Sequence, residues 1–182
     1  MDEVDNLVLV GLGSAGNAIC IELQTFMDSK RPIYSIDCIK NSEFLYCFSQ
    51  IYLDALPENI ENFSNMADSA AYLLRFTPPE SRFLFVVGLG GSTGTNLFKF
   101  FLSMAELKSS RFICILPFAF EGKNRAKIAN DSLDFASTVN SCVYVYPNQY
   151  LLDGNHLNET FTEAFKRQAK MIFIDLQSEL SR

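Results

Sequence analysis

Twice in this chain an unbroken apolar run of strand-forming residues ends in a cluster of glycines. LVLV at residues 7–10 runs into GLGSAGN, and RFLFVV at residues 82–87 runs into GLGGSTGT. A run that is apolar on both faces, without polar alternation, marks a strand in a parallel sheet covered by helices on both sides. Glycines directly after such strands let a helix start tightly and let backbone N–H groups approach a bound anion. These two segments commit the chain to an α/β fold whose functional edge lies at the carboxyl ends of the strands.

The rest of the sequence fits that frame. Residues 32–37 (PIYSID), 111–116 (RFICIL) and 141–146 (SCVYVY, closed by Pro147-Asn148) read as further strands, with a short one near residues 50–53. Helical periodicity covers residues 16–27, 63–75, the stretch from the second glycine cluster to 107, 124–137 and 160–180. Thr77-Pro78-Pro79 stops the second of these. The last helix, of roughly 20 residues, should be about 30 Å long. The predicted fold is a doubly wound, mostly parallel sheet with helices on both faces, Rossmann-like, formed by residues 1–182 as a single domain.

Charge and cysteine usage narrow the partners. The 15 Lys+Arg and 21 Asp+Glu give a net charge of −6, which offers no bulk attraction to nucleic acid or to an anionic membrane. No apolar run reaches the roughly 18 residues of a membrane span, and the start MDEVDNLVLV is acidic where a secretory signal is basic. A soluble, cytoplasmic protein is expected. The five cysteines, Cys20, Cys38, Cys47, Cys114 and Cys142, form no CxxC pair and read as buried small hydrophobes in a reducing compartment. With His156 as the one histidine, neither a zinc site nor a Ser/His/Asp triad has an evident set of residues.

The glycine clusters carry the chemistry. In the first, Gly11, Gly13, Ser14, Ala15, Gly16 and Asn17 form a GxGxxG turn into a helix. In the second, Gly88, Gly90, Gly91, Ser92, Thr93, Gly94 and Thr95 form a nest of donors at a positive helix end. Two such nests on neighbouring strand ends suit a polyphosphate. No GxxxxGK[ST] is present, so backbone amides rather than a P-loop lysine would hold the phosphates. Asp37, about 20 residues after the first cluster, also fits the dinucleotide fingerprint. An NAD-dependent enzyme is therefore open as a reading, although it supplies no catalytic acid or base and leaves the second nest without a role.

GLGGSTGT resembles the GGGTG[ST]G signature of the tubulin/FtsZ superfamily, and other landmarks follow in order. VLVGLGSAGN at residues 8–17 is similar to the FtsZ first strand and phosphate loop. PFAFEGKNR at 117–125 is similar to PFxFEGxxR, which implies ribose and nucleotide contacts from Glu121 and Arg125. YPNQYLL at 146–152 resembles IPNDKLL, placing Asn148 near the base, and FTEAF resembles LLDAF, placing Phe165 as the ring stacked on it. The resemblance covers essentially the whole sequence. It implies an FtsZ-like guanine-nucleotide-binding protein of the cell-division or cytoskeletal type, binding GTP or GDP with Mg²⁺ accompanying the nucleotide.

The sequence departs from that pattern at several points. Residues 58–65 (ENIENFSN) have no counterpart of the γ-phosphate-sensing loop, and Asp37-Cys38-Ile39 stands where the family has NTD. The Asn-Asp pair that reads the guanine edge falls on Ala169-Lys170. The second, activating domain and its acidic NxDxxD loop have no counterpart within residues 1–182, so the resemblance implies no self-sufficient GTPase cycle and leaves enzymatic activity open. The alternative is an interaction protein, independent of nucleotide, that caps, copolymerises with or regulates a full-length FtsZ/tubulin-like partner, or associates with itself. Plain readings stand beside the functional ones: Glu121–Arg125 as an i,i+4 surface pair, Phe165 as core, Asn148 as a turn residue, and Lys166, Arg167 and Lys170 as a solvated basic face.

Overall fold

The computed structural model describes residues 7–27, 33–38, 49–52, 63–104, 110–139, 142–152 and 159–180. Six strands form one sheet: β1 (Leu7–Leu12), β2 (Ile33–Asp37), β3 (Ser49–Tyr52), β4 (Arg82–Gly88), β5 (Arg111–Leu116) and β6 (Cys142–Pro147). Their order is β3-β2-β1-β4-β5-β6, and every neighbouring pair is parallel. The α-helices among the described residues are α1 (Gly13–Phe26), α2 (Phe63–Phe76), α3 (Ser92–Ser103), α4 (Lys123–Thr138) and α5 (Phe161–Leu180). Strand order reverses between β1 and β4, where the chain leaves β1 toward β2 and returns on the other side as β4. In open α/β sheets the carboxyl edge at such a reversal is where ligands bind.

The two faces of the sheet are read off by residue parity. Val8, Val10 and Leu12 of β1 and Phe83, Phe85 and Val87 of β4 pack with Met66, Leu73, Leu97, Phe98, Phe101 and Ala129 from α2, α3 and α4. Leu7, Leu9, Leu84 and Val86 face the other way, onto Ile19, Cys20 and Leu23 of α1 and Ala169, Ile172 and Leu176 of α5. Phe85 lies between Phe101 and Phe112, its ring centroid 4.9 Å from each. A strand apolar on every residue is thus satisfied by helices on both sides, as the sequence implied.

Several boundaries differ from the sequence reading. β1 continues through Gly11 to Leu12, and α1 starts at Gly13 with no intervening loop. Gly11 stays in the strand because Asn17, one turn into α1, sits directly on it: a Cβ there would lie 2.2 Å from Asn17 Oδ1. α3 ends at Ser103, short of residue 107. β6 was expected to be covered on both faces, yet it is the sheet's edge strand, with Val145 exposed and its last residue a proline, a residue tolerated at such an edge. Edge position also explains Cys142, which is exposed rather than buried. Cys20 and Cys114 are buried as expected, and burial pushes the Cys114 thiol far above its ordinary range. Cys47, His156 and residues 58–62 lie outside the described residues. No helix among the described residues is long and apolar enough to cross a membrane.

Candidate functional site

A cleft of about 370 Å³ opens at the carboxyl edge of the sheet, over the reversal between β1 and β4. It is lined by Gly13, Ser14 and Ala15 from the start of α1, by Gly88, Gly91, Ser92, Thr93 and Gly94 around the start of α3, and by Glu121, Arg125 and Asn148 on the far side. Leu12, Leu89, Ile115 and Pro117 complete its walls. Both glycine clusters and two of the three later motifs, PFAFEGKNR and YPNQYLL, therefore meet at one place. The volume lies within the roughly 300–1,000 Å³ of small-molecule sites.

The glycines divide into two jobs. Gly16 has no room for a side chain, since a Cβ would lie 2.1 Å from the Val86 carbonyl oxygen. It lets α1 pack on β4. Gly94 is similarly closed by the Gly88 carbonyl oxygen at 2.7 Å, and Gly13, at φ +69, rests against the backbone of Gly94. The two clusters are interlocked through bare backbone. Gly91 is different, because a Cβ there would meet nothing within 4 Å. It borders open space in the cleft.

Hydrogen bonding separates scaffold from free donors. The Gly90 N–H donates to the buried Thr95 hydroxyl at 3.0 Å, and the Leu89 N–H to the Ile115 carbonyl at 2.9 Å. Gly90 and Thr95 thus shape the loop and do not line the cleft. The first turns of α1 and α3 are left with N–H groups that have no partner inside their helices. Neither helix has a side-chain cap at its start, where Leu12 and Gly91 stand, and neither has an acidic residue in its first turn. α5, which contributes no residue to the cleft lining, carries a capping box: the Thr160 N–H donates to Glu163 Oε2 at 2.8 Å and the Glu163 N–H to Thr160 Oγ1 at 3.3 Å. The Thr160 N–H and the Thr160 hydroxyl, which also donates to Oε2 at 2.8 Å, hold the Glu163 carboxyl below its ordinary value.

The end of β2 ties the two clusters together. Asp37 is buried and accepts from Ser14 Oγ at 2.8 Å and from the Cys38 N–H at 2.7 Å. It lies behind the first cluster and is not part of the cleft lining, where a ribose-binding acid of the dinucleotide type would have to be. Cys38 is hydrogen-bonded to Thr93 of the second cluster; burial raises its thiol, the bond to Thr93 works against that, and the Asp37 charge adds to it. Sequence reasoning took Cys38 as a buried small hydrophobe, since a single thiol after a strand carries no spacing signal; it is half-buried.

Across the cleft, Glu121 Oε1 accepts from the Phe118 N–H at 2.9 Å while Oε2 is paired with Arg125. The i,i+4 pair and a place in the cleft wall are therefore both true of these residues. Arg125 sits in the first turn of α4 and is the one cation among the described lining residues. Phe165 does not line the cleft; it packs between two apolar clusters, beside Phe118, Leu151 and Ala164 on one side. Asn17 and Gly11 also lie beneath the cleft, Asn17 buried with neither side-chain polar atom hydrogen-bonded. Of the basic trio, Lys166 and Lys170 are exposed, whereas Arg167 is clamped to Glu159 at 2.7 Å and to the Leu151 carbonyl at 3.1 Å. It is an internal tie and not part of a solvated face. Ala169 is buried against the α1 side of the sheet.

The residue that sequence reasoning missed is Gln168, whose Nε2–H donates to Asn148 Oδ1 at 3.2 Å. Its signal was present: Ala164, Gln168, Ile172 and Leu176 repeat every four residues along the buried stripe of α5. A polar residue in that phase needs a partner.

No protein-family model matches this sequence, and no curated protein does. Solved structures do. The FtsZ dimer of M. jannaschii superposes with a TM-score of 0.67 at 20% identity, over 96% of this chain and 54% of that one. The GTPγS-bound protofilament of CetZ2 from Haloferax volcanii gives 0.75 at 18% identity, over 96% and 58%. TubZ of Clostridium botulinum phage c-st gives 0.74 at 13%, over 96% and 61%. The chain has the tubulin/FtsZ-type fold, and it spans little more than half the length of the proteins it matches.

Proposed function

We propose that this cleft binds a nucleoside di- or triphosphate, with GTP and GDP the first candidates, as part of an FtsZ-like cytoskeletal or cell-division protein. The observation that carries the reading is the pair of uncapped, acid-free helix starts, α1 and α3, facing one cleft. Orphan N–H groups at two positive helix ends suit successive phosphates. Arg125 adds a cation on the opposite wall, the one among the described lining residues. Mg²⁺ would come bound to the phosphates: the lining carboxylate Glu121 is already engaged, and no cluster of three metal-ligating side chains occurs among the described residues. The naming of the CetZ2 neighbour as a GTPγS-bound protofilament supports the same ligand class here.

The test is to denature the purified protein and chromatograph what is released, then to follow melting with added nucleotide. Stoichiometric GDP or GTP is expected. An empty eluate together with no thermal shift from any purine nucleotide at about 100 times a micromolar Kd, where roughly 2.7 kcal/mol should be gained, refutes the reading.

A second reading is a partner-binding module, in which this face meets a full-length FtsZ/tubulin-like protein or another copy of the chain. Its support is a rim of exposed rings, Phe120 at 66%, Tyr150 at 62% and Phe161 at 61% exposure, an arrangement that marks interaction surfaces. Pelleting of a full-length FtsZ that excess of this chain leaves unchanged would remove it.

A further inference from the structure

We propose that Asp37 directs the one hydroxyl proton of Ser14 away from the cleft and thereby makes phosphate binding at the start of α1 conditional on a divalent cation; the inference deepens the nucleotide reading above and rests on it. Ser14 is the second residue of α1, exposed, and part of the cleft lining. Behind it stands Asp37, only 4% exposed. The register Leu12↔Ile36 brings the end of β2 level with the start of α1, and Ser14 Oγ donates to Asp37 Oδ2 at 2.8 Å.

The sense of that bond is fixed from both sides. A carboxylate has acceptors only, and a hydroxyl has a single proton. The other carboxylate oxygen, Oδ1, accepts from the Cys38 N–H at 2.7 Å, a backbone donor that cannot turn round. A buried carboxylate needs such donors, so the Ser14 proton is held on Asp37. What Ser14 Oγ then offers the cleft is lone pairs.

Two groups of the same turn are thus set against each other. The backbone N–H groups at the start of α1 attract an anion. The Ser14 oxygen beside them, with a carboxylate behind it, opposes one. Arg125 does not relieve this, because it lines the far wall and is paired with Glu121. A divalent cation does. Mg²⁺ keeps several of its waters and takes few protein oxygens beside those of the phosphates. A serine oxygen whose proton points away suits that ion or a water of its shell. Ser14 is the residue that meets it, and Asp37, acting through Ser14, is a positioning residue.

The experiment measures GDP binding by calorimetry on the full chain, once in Mg²⁺ and once in EDTA. Wild type should bind roughly tenfold or more weakly in EDTA. Asp37→Asn keeps an oxygen for the Cys38 N–H, which fixes its amide, and turns the Nδ2–H donors toward Ser14. The hydroxyl proton is then released to phosphate. Binding in EDTA should tighten about tenfold, the worth of a charge-assisted hydrogen bond, and the Mg²⁺ dependence should shrink by the same factor. A gain of affinity is not something that structural damage produces. Ser14→Ala, at an exposed position, should shrink the Mg²⁺ dependence without that gain, and it decides alone if Asp37→Asn melts far below wild type. Equal wild-type binding in Mg²⁺ and EDTA, or a dependence that neither variant changes, overturns the proposal. Wild type that binds no GDP in either buffer brings down the nucleotide reading itself, a distinct result that removes this inference with it.

Discussion

Gly91→Asp should make the protein more stable and, at the same time, stop it binding nucleotide. Gly91 is the N-cap of α3, with extended φ −91 and ψ 160, and a Cβ there meets nothing within 4 Å. A side chain fits without strain. Aspartate at an N-cap exceeds glycine by a few tenths of a kcal/mol through its bond to the helix N–H groups. Its charge against the helix dipole adds about 0.3–1 kcal/mol. The sum, roughly 0.5–1.5 kcal/mol, should raise the melting temperature by about 1–6 °C at 2–4 °C per kcal/mol for a chain of this size. The same carboxylate enters the space assigned to phosphate. Two unit charges about 4 Å apart repel by about 4 kcal/mol at an effective dielectric constant of 20. That exceeds the roughly 2.7 kcal/mol that a nucleotide at about 100 times its Kd contributes, so the ligand-induced shift should vanish. Scanning fluorimetry of wild type, Gly91→Asp and Gly91→Ala, each with and without GDP, reads both effects. A Gly91→Asp protein that melts lower, or that keeps its GDP shift, refutes the assignment of α3's start as an open anion site.

Three further outcomes follow from the same geometry. Gly16→Ala puts a methyl 2.1 Å from the Val86 carbonyl oxygen, backbone that cannot step aside; urea unfolding should show a loss at or beyond the upper end of the 1–3 kcal/mol typical of overpacking. Arg125→Gln removes the lone lining cation while its exposed pair with Glu121 is worth less than about 1 kcal/mol, so calorimetry should show about tenfold weaker GDP binding with melting almost unmoved. Glu163 has its folded pKa depressed below 4.5 by its bonds from Thr160. Its stabilising effect is therefore present above that ordinary value and lost as pH falls through the lower folded one, and Glu163→Gln should flatten the acid limb of the stability profile in that window.

The elements were legible because period and burial agree. RFLFVV and RFICIL lack polar alternation, so they could only be buried strands, and the four-residue apolar repeat of α5 could only be a helix laid on a sheet. The end of β1 was not legible. Glycine reads as a strand terminator from sequence, yet Gly11 remains in β1 because a helix residue seventeen places into the chain needs its missing side chain. The same limit blurred the site. Gly16, Gly91 and Gly94 look alike in a motif, and only their neighbours in space separate two packing glycines from one that borders a ligand cavity. Matching the last helix by count directed attention to Ala169 and Lys170. The helix phase instead buries Gln168 beside Asn148.

The two ends of the cleft therefore differ in how tightly sequence specifies them. On the nucleotide reading proposed above, the working groups at the phosphate end are backbone N–H donors, which every residue but proline possesses. What the sequence must supply is room, and room depends on glycines: a Cβ at Gly13 would press on Gly94, and one at Gly94 on the carbonyl oxygens of Gly88 and Leu12. At the base end the working groups are side chains, and one exchange resets what is read. A carboxylate can only accept hydrogen bonds, an ammonium can only donate, and a carboxamide does either according to its neighbour. With Lys170 exposed and Ala169 buried away from the cleft, Asn148 is the carboxamide among the described lining residues. Phosphate binding should accordingly survive most single substitutions outside the glycines, whereas base preference should turn on Asn148.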